Sequence, residues 1–260
     1  MNIPIYQVDA FASKVFEGNP AAVCPLDNWL DDEILQNIAS ENNLSETAFI
    51  VEENHELHIR WFTPDGEVRF CGHATLASAH TFFKHLGYSE NAISFNSQSG
   101  VLTVVNLDDY YRMDFPADSL EEIDLPEIIK VALNIEDSPC FSGKDDFLVV
   151  LESEEQLIKL SPDFRMLKEA DCRGVIVTAK SDEYDFVSRC FYPSYGIDED
   201  PVTGSAHTTL TPYWSFRLNK KQLKAKQLSK RGGIVECIDK GERIELIGSA
   251  VTFMKGEVMI

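Results

Sequence analysis

Arg60-Trp61-Phe62-Thr63-Pro64, leading through a short loop to Cys71-Gly72-His73-Ala74-Thr75, has an echo in the second half of the chain. There Arg189-Cys190-Phe191-Tyr192-Pro193 leads to Thr203-Gly204-Ser205-Ala206-His207. Both read as strand, proline-containing loop, glycine, small or polar residue, alanine, then helix. The two arginines stand about half the chain length apart. A second echo follows each helix: Ser97-Gln98-Ser99-Gly100-Val101-Leu102 and Ser229-Lys230-Arg231-Gly232-Gly233-Ile234 each precede a strand. Two matches in one order at a similar offset predict duplicated domains of similar topology. The expected division is 1–117 and 118–260, meeting near 115 to 125, with the last ~10 residues as candidates to pack back onto the first domain.

The rest of each half is strand-rich. Leu57, Ile59 and Trp61 alternate with polar or basic residues, as do Val101, Thr103 and Val105, which is the period of a half-buried strand. Phe147–Leu151, Val175–Val177 and Arg243–Ile247 read the same way. Asp31 opens a peripheral helix with Ile34, Leu35 and Ile38 on one face. The helices starting at Gly72 and Gly204 differ. The first carries Leu76, Ala77, Ala79, Phe82, Phe83 and Leu86, with Gly87 as its stop; the second carries Ala206, Leu210, Tyr213, Trp214, Phe216 and Leu218. Apolar residues around most of the axis predict burial on most sides. Pro212 is expected to bend the second helix or thin its hydrogen bonding there. The fold class expected is α+β: two pseudo-symmetric domains, each a barrel-like, mostly antiparallel sheet around a central helix.

Composition narrows the partners. The chain has 260 residues with a formal net charge of −20, which repels polyanions and makes nucleic acid a poor partner. The basic stretch from Lys220 to Arg231 is expected to be a solvated helix end followed by an edge strand, with an anion site as the lesser alternative. No segment reaches the roughly 20 apolar residues of a membrane span, so no membrane partner is expected. Met1-Asn2-Ile3-Pro4 lacks the features of a signal peptide. Six scattered cysteines without a Cys-x-x-Cys pair read as reduced thiols of a cytoplasmic protein.

Each buried helix begins at a glycine, and its first N–H groups have no intrahelical partner. Such an end can hold a carboxylate without a lysine or arginine. Gly72 and Gly204 could also be plain turn glycines, but their duplication favours a role. Asp198-Glu199-Asp200-Pro201 reads as helix-end electrostatics, His73 as a loop histidine and Glu46 as a residue at a strand mouth; spacing alone assigns them no chemistry. His55-x-x-His58 is a poor metal pair on a strand, and His80 and His85 read as structural. No dinucleotide loop, Walker loop or nucleophile elbow is present. Nothing calls for a nucleotide, flavin or metal, and the expected ligand is a small organic anion.

Several stretches resemble the phenazine-biosynthesis (PhzF-like) family in order and spacing. They are Tyr6-Gln7-Val8-Asp9-Ala10-Phe11, Gly18-Asn19-Pro20-Ala21-Ala22-Val23, Asn43-Leu44-Ser45-Glu46-Thr47-Ala48-Phe49 and Phe70-Cys71-Gly72-His73-Ala74-Thr75. Asp114-Phe115-Pro116-Ala117, Asp200-Pro201-Val202-Thr203-Gly204-Ser205-Ala206-His207 and Ser229-Lys230-Arg231-Gly232-Gly233 complete the match. The resemblance implies a diaminopimelate-epimerase-like fold, with the active site between two domains, and a cofactor-independent isomerase. It implies Glu46 as the acid/base, with His73, Asp200 and Ser205 assisting. Ser45, Gly72, Ala74, Thr75, Gly204 and Ala206 would then contact substrate. The family's archetype isomerises a dihydro-hydroxyanthranilate. A homodimer is one expectation for the assembly. Cys71 stands where diaminopimelate epimerases place one of two catalytic thiols. The second would fall near Pro201, so a two-thiol racemisation looks incomplete. A Cys71-dependent racemase and a non-catalytic small-molecule binder stand as alternatives.

Overall fold

The computed structural model describes residues 1–260. The chain forms two units, Met1–Asp114 with Ile247–Ile260, and Phe115–Leu246.

The first unit begins with β1 (Asn2–Ala10), β2 (Asn19–Leu26), α1 (Asp32–Asn42), β3 (Glu46–Glu53), β4 (Glu56–Thr63) and β5 (Gly66–Val68). It continues with α2 (Gly72–His85), β6 (Ala92–Ser97), β7 (Gly100–Leu107) and β8 (Tyr110–Pro116). β1 and β2 pair antiparallel, β2 and β3 parallel, β3 and β4 antiparallel. β4 and β6 are again parallel, and β6–β7 and β7–β8 antiparallel. Parallel neighbours need a long crossover; α1 supplies the first and α2 the second.

The two helices answer different burial patterns. α1 buries only Leu35, Ile38 and Ala39, against Ile3, Ile5, Ala22, Cys24, Phe49 and Phe62. α2 has Gly72 to Thr81 all buried, and packs on β1, β2, β3 and β7. Its inward hydroxyls need partners, and they bond backward within the helix: Thr75 to the Cys71 carbonyl, Ser78 to Ala74 and Thr81 to Ala77. Gly87, at φ 71°, ends it, and the Tyr88 N–H reaches back to the Phe82 carbonyl.

The second unit holds β9 (Glu121–Ile123), α3 (Glu127–Leu133), β10 (Cys140–Ser142), β11 (Asp146–Val150), α4 (Glu154–Lys159) and α5 (Phe164–Leu167). β12 (Gly174–Lys180), β13 (Phe186–Phe191), α6 (Gly204–Leu218), β14 (Gln222–Gln227) and β15 (Gly233–Asp239) follow. β16 (Arg243–Gly248) closes the unit, and β17 (Ala250–Met259) belongs to the first unit, where it pairs antiparallel with β1. β10–β11 is antiparallel, β11–β12 parallel, β12–β13 antiparallel, β13–β14 parallel and β14–β15 antiparallel. That is the order of pairings from β1 to β7, with α6 in the place of α2. The core beneath α3, α4 and α5 includes Ile129, Leu133, Leu157, Leu167, Val149, Val177 and Phe191.

The echo seen in the sequence is physical. Arg60 lies over the Phe62 ring and Arg189 over the Phe191 ring, each 5.1 Å from the centroid. Each guanidinium makes a two-pronged pair with a downstream glutamate, Glu67 for Arg60 and Glu199 for Arg189. Glu199 is thus held by Arg189 rather than spent on the helix end. The serine-containing echoes form the β6–β7 and β14–β15 turns, where Ser97 and Ser229 hydroxyls each accept a turn N–H.

Two expectations need correction. Leu86 is 41 % and Phe216 85 % exposed, because both helices leave the core at their C-terminal ends. The basic stretch is no edge strand: β14 lies between β13 and β15. Its lysines are engaged locally, Lys220 with Asp185, Lys221 with Asp239, and Lys224 and Lys226 over Tyr184. Pro212 leaves α6 unbroken but, as expected, thins its hydrogen bonding. Its missing N–H frees the Thr208 carbonyl, which accepts from the Asp118 N–H at 3.2 Å instead. No helix is long and apolar enough to cross a membrane.

Candidate active site

In the first unit α1 ends at Asn43, whose left-handed φ of 48° turns the chain into β3. Glu46 is the first residue of β3, opposite Ala21 of the parallel strand β2. Its side chain points at the start of α2. Glu46 Oε2 lies 3.1 Å from His73 Nε2; the two side chains are 12 % and 8 % exposed. On the other side of the ring, Nδ1 lies 3.5 Å from Cys71 Sγ and 3.3 Å from Asn19 Nδ2. Ser45 Oγ donates to Asn19 Oδ1 at 3.1 Å. Ser45, Asn19, His73, Cys71 and Glu46 therefore form one cluster.

Burial pulls the His73 imidazolium down, but the Cys71 sulfur and the Glu46 carboxylate outweigh it and hold the ring well above the ordinary histidine value. Burial, helped by the Glu46 charge, pushes the Cys71 thiol up to about 11, so it is an S–H group at neutral pH. The charged partner of the ring is then Glu46.

Cys71 is the N-cap of α2 in an extended conformation and gives no side-chain cap; the first turn holds no acidic residue. The amides of Gly72, His73 and Ala74 start the helix. Thr75 also belongs to this turn, but its hydroxyl is spent on the Cys71 carbonyl at 2.6 Å.

The second unit repeats this entry. Thr203 is the extended N-cap of α6, again with no side-chain cap and no acidic first turn. Gly204, Ser205 and Ala206 start the helix, and Ser205 is half-buried. His207 bonds through Nδ1 to the Thr203 carbonyl at 2.8 Å, the place Thr75 takes in α2. The preceding loop is clamped. Gln227, fully buried, accepts the Thr203 N–H at 2.8 Å and donates to the Asp200 carbonyl at 2.7 Å. Ser229 Oγ donates to the Pro201 carbonyl, and the Asp200 N–H to the Cys190 carbonyl. Asp200, 7 % exposed, accepts from the Thr203 hydroxyl. Arg173, paired with Asp146, lies 3.4 Å from Ser205 Oγ.

Glu46, His73, Ser45, Gly72, Ala74 and Thr75 are thus gathered in one unit; Asp200, Gly204, Ser205 and Ala206 in the other. Asn19, Gln227 and Arg173 were missed. Asn19 had a signal, the Gly18-Asn19-Pro20 run; Gln227 and Arg173 had none. Glu46, Cys71 and His73 present ligand atoms all within 4.8 Å of one another.

The family profile for phenazine biosynthesis-like proteins (PhzC-PhzF) matches residues 8–256. The chain belongs to the phenazine biosynthesis-like family. Two relatives from Pseudomonas aeruginosa, both named uncharacterised isomerases, are 50% and 48% identical to it. The first match covers 98% of each chain and the second 100% of each. The crystal structure of a PhzF-family protein from Enterococcus faecalis has a TM-score of 0.97 at 48% identity, covering 100% of both chains. A probable proline racemase from Agrobacterium radiobacter shares the fold at a TM-score of 0.66 and 10% identity, covering 99% of this chain and 93% of its own. This phenazine biosynthesis-like protein is accordingly an isomerase of PhzF type on the epimerase-like fold.

Proposed function

We propose that the isomerase moves a proton between two carbons of a small carboxylate-bearing substrate, with Glu46 as its acid/base. The observation that carries the reading is the buried Glu46–His73 pair at the uncapped start of α2. Glu46 takes a proton from carbon next to an unsaturated, carboxylate-bearing system. The electron pair left behind delocalises into that system, and the carboxylic acid of Glu46 returns its proton to another carbon. Helix amides aimed at developing negative charge, with a histidine whose proton is held by its neighbours, stabilise the anion between the two transfers. No net oxidation occurs and no co-reactant is consumed. Asp200 and Ser205, at the entry of α6, assist by holding and polarising the substrate.

A second reading is a racemase with Cys71 as base, favoured by the 3.5 Å Cys71–His73 contact. A buried thiol pushed up to about 11 serves poorly as a base at neutral pH, which places this reading second. The test is to screen carboxylate metabolites for solvent-deuterium incorporation, then compare variants on the substrate found. Glu46→Gln keeps volume and reach but cannot take the proton. It is expected to lose about 10²–10⁴-fold in turnover and exchange while binding persists. Asp200→Asn is expected to lose less. A Glu46→Gln protein exchanging at the wild-type rate would remove Glu46 from the mechanism.

A further inference from the structure

We propose that Arg173 is a positioning residue for the isomerase reaction: held by Asp146, it makes the Ser205 hydroxyl a donor aimed at the substrate. This rests on the reading given above, in which Ser205 holds and polarises the substrate.

A serine or threonine hydroxyl has one hydrogen to give and two lone pairs that receive. In α6 every other serine or threonine spends that hydrogen inside the protein. Thr208 donates to the Ser205 carbonyl, Thr209 to Asp118, Thr211 to the His207 carbonyl and Ser215 to Asp239. Ser205 is the exception. It is the second residue of the helix, and the carbonyl four residues back, that of Pro201, accepts from the Ser229 hydroxyl. Its Oγ meets Arg173 Nη2 at 3.4 Å, and toward an arginine a hydroxyl can only accept. The hydrogen of Ser205 is left over, on a half-buried residue at the uncapped entry of α6.

Arg173 is fixed from several sides. Asp146, buried at the start of β11, opposes Gly174 in the parallel register with β12, which sets the residue before Gly174 beside it. Its carboxylate takes the Nε hydrogen at 2.8 Å and one of the two on Nη2. The second Nη2 hydrogen reaches Ser205. The Arg173 N–H donates to the Asp145 carbonyl, and its own carbonyl accepts from the Ser194 hydroxyl. The guanidinium lies over the Tyr192 ring, 5.5 Å from the centroid. Gly174 admits that ring, since a β-carbon there would stand 2.2 Å from it. An ion pair that only joined β11 to β12 would need no third donor on Ser205. An N–H from a cation on the Ser205 oxygen polarises its O–H, which then bonds more strongly to charge developing on the substrate. The 3.4 Å contact is long, as catalytic hydrogen bonds often are before substrate arrives.

The test compares Ser205→Ala, Arg173→Lys and their combination on the substrate found by the exchange screen. Ser205→Ala should lose about 10²-fold in kcat, the usual cost of a donor to developing charge, with KM little changed. Arg173→Lys keeps a cation for Asp146 but not the fork, and should lose roughly tenfold in kcat. In the Ser205→Ala background it should cost almost nothing, because residues acting as a unit are not additive. Methylguanidinium should restore turnover to Arg173→Ala and fail to do so in Arg173→Ala/Ser205→Ala. Losses that add, or rescue that survives without Ser205, would make Arg173 purely structural and overturn the proposal. Loss in Ser205→Ala but not in Arg173→Lys overturns it too, and leaves the reading of Ser205 standing. Wild-type turnover in Ser205→Ala removes Ser205 from the mechanism, and the positioning role goes with it. One further measurement needs no substrate. NMR of isotopically labelled arginine side chains in the full chain should show both Nη2 hydrogens of Arg173 protected from exchange with water. Ser205→Ala should release one and keep the other; equal protection of both without Ser205 overturns the bond on which the proposal stands. Circular dichroism checks folding, and should Arg173→Ala not fold, Arg173→Lys and the NMR readout decide.

Discussion

His207 is fully buried in α6, where Nδ1–H donates to the Thr203 carbonyl and Nε2 has no hydrogen-bond partner. A second proton would sit on Nε2 with nothing to receive it, and burial accordingly pulls the ring down to about 4. His80 is also drawn to about 4, by burial and then by the charges of His85 and Lys84; it lies between Tyr111 and Thr252. A depressed folded value means that the folded state binds fewer protons than the unfolded one. The stability so gained is whole above the unfolded histidine range of about 6.5 and is lost as pH falls toward about 4. Between pH 7 and 5, His207 alone should account for ~2 kcal/mol of lost stability. His207→Gln is expected to flatten the fall in urea-unfolding free energy between those pH values by that amount, whatever its effect at pH 7. An unchanged slope would show that His207 takes up its proton equally in the folded and unfolded states. At this scale the sequence was legible in part. Glu46 and His73 could each be picked from a family pattern, but their pairing needs β3 beside the start of α2. No local spacing encodes that.

Both helix entries are shaped by residues outside the motifs that announce them. In the first unit Gly18, at φ 67°, stands against the Ala10 carbonyl; a β-carbon there would come within 2.1 Å of that oxygen. The turn delivers Asn19, the link between Ser45 and His73. Gly18→Ala is expected to displace Asn19 and to cost both stability and turnover, read as a lower thermal midpoint and a lower kcat. In the second unit Gln227 of β14 ties down the loop from Asp200 to Thr203. Gln227→Leu fills the space but strands a buried N–H and a carbonyl, at a cost of about 1–3 kcal/mol for each group left unsatisfied. Urea unfolding should show that loss. Turnover should fall at temperatures where the variant is still folded, because the loop carrying Asp200 is no longer fixed. Full activity in a folded Gln227→Leu protein would show that the loop holds itself. The repeat made both helices readable, since Gly72 and Gly204 follow matching strands. β14 was misread as an edge because the alternation in Leu223-Lys224-Ala225-Lys226 fits an edge or an inner strand equally. Its parallel partner β13 lies on the far side of α6 in sequence.

The duplicated plan reaches from topology down to single contacts, as the Arg60–Phe62–Glu67 and Arg189–Phe191–Glu199 sets show. Such agreement across scales is why a half-chain echo sufficed to read the fold class. Net charge was also legible, and it sets a condition on the proposed chemistry. A molecule with a formal charge of −20 surrounds itself with a field that repels anions. A carboxylate substrate must cross that field before it meets the short-range attraction of helix N–H groups, which fades within a turn or so. Salt shortens the reach of the field from about 30 Å at 0.01 M to about 8 Å at physiological strength. The close contacts inside a buried site are screened far less. Raising ionic strength over that range should therefore increase kcat/KM for an anionic substrate and leave kcat nearly constant, the reverse of an enzyme that steers its substrate in. A neutral analogue of the same substrate should show no such rise. A kcat/KM that falls with salt would mean that the substrate carries positive charge toward this surface, and the organic-anion assignment would go with it.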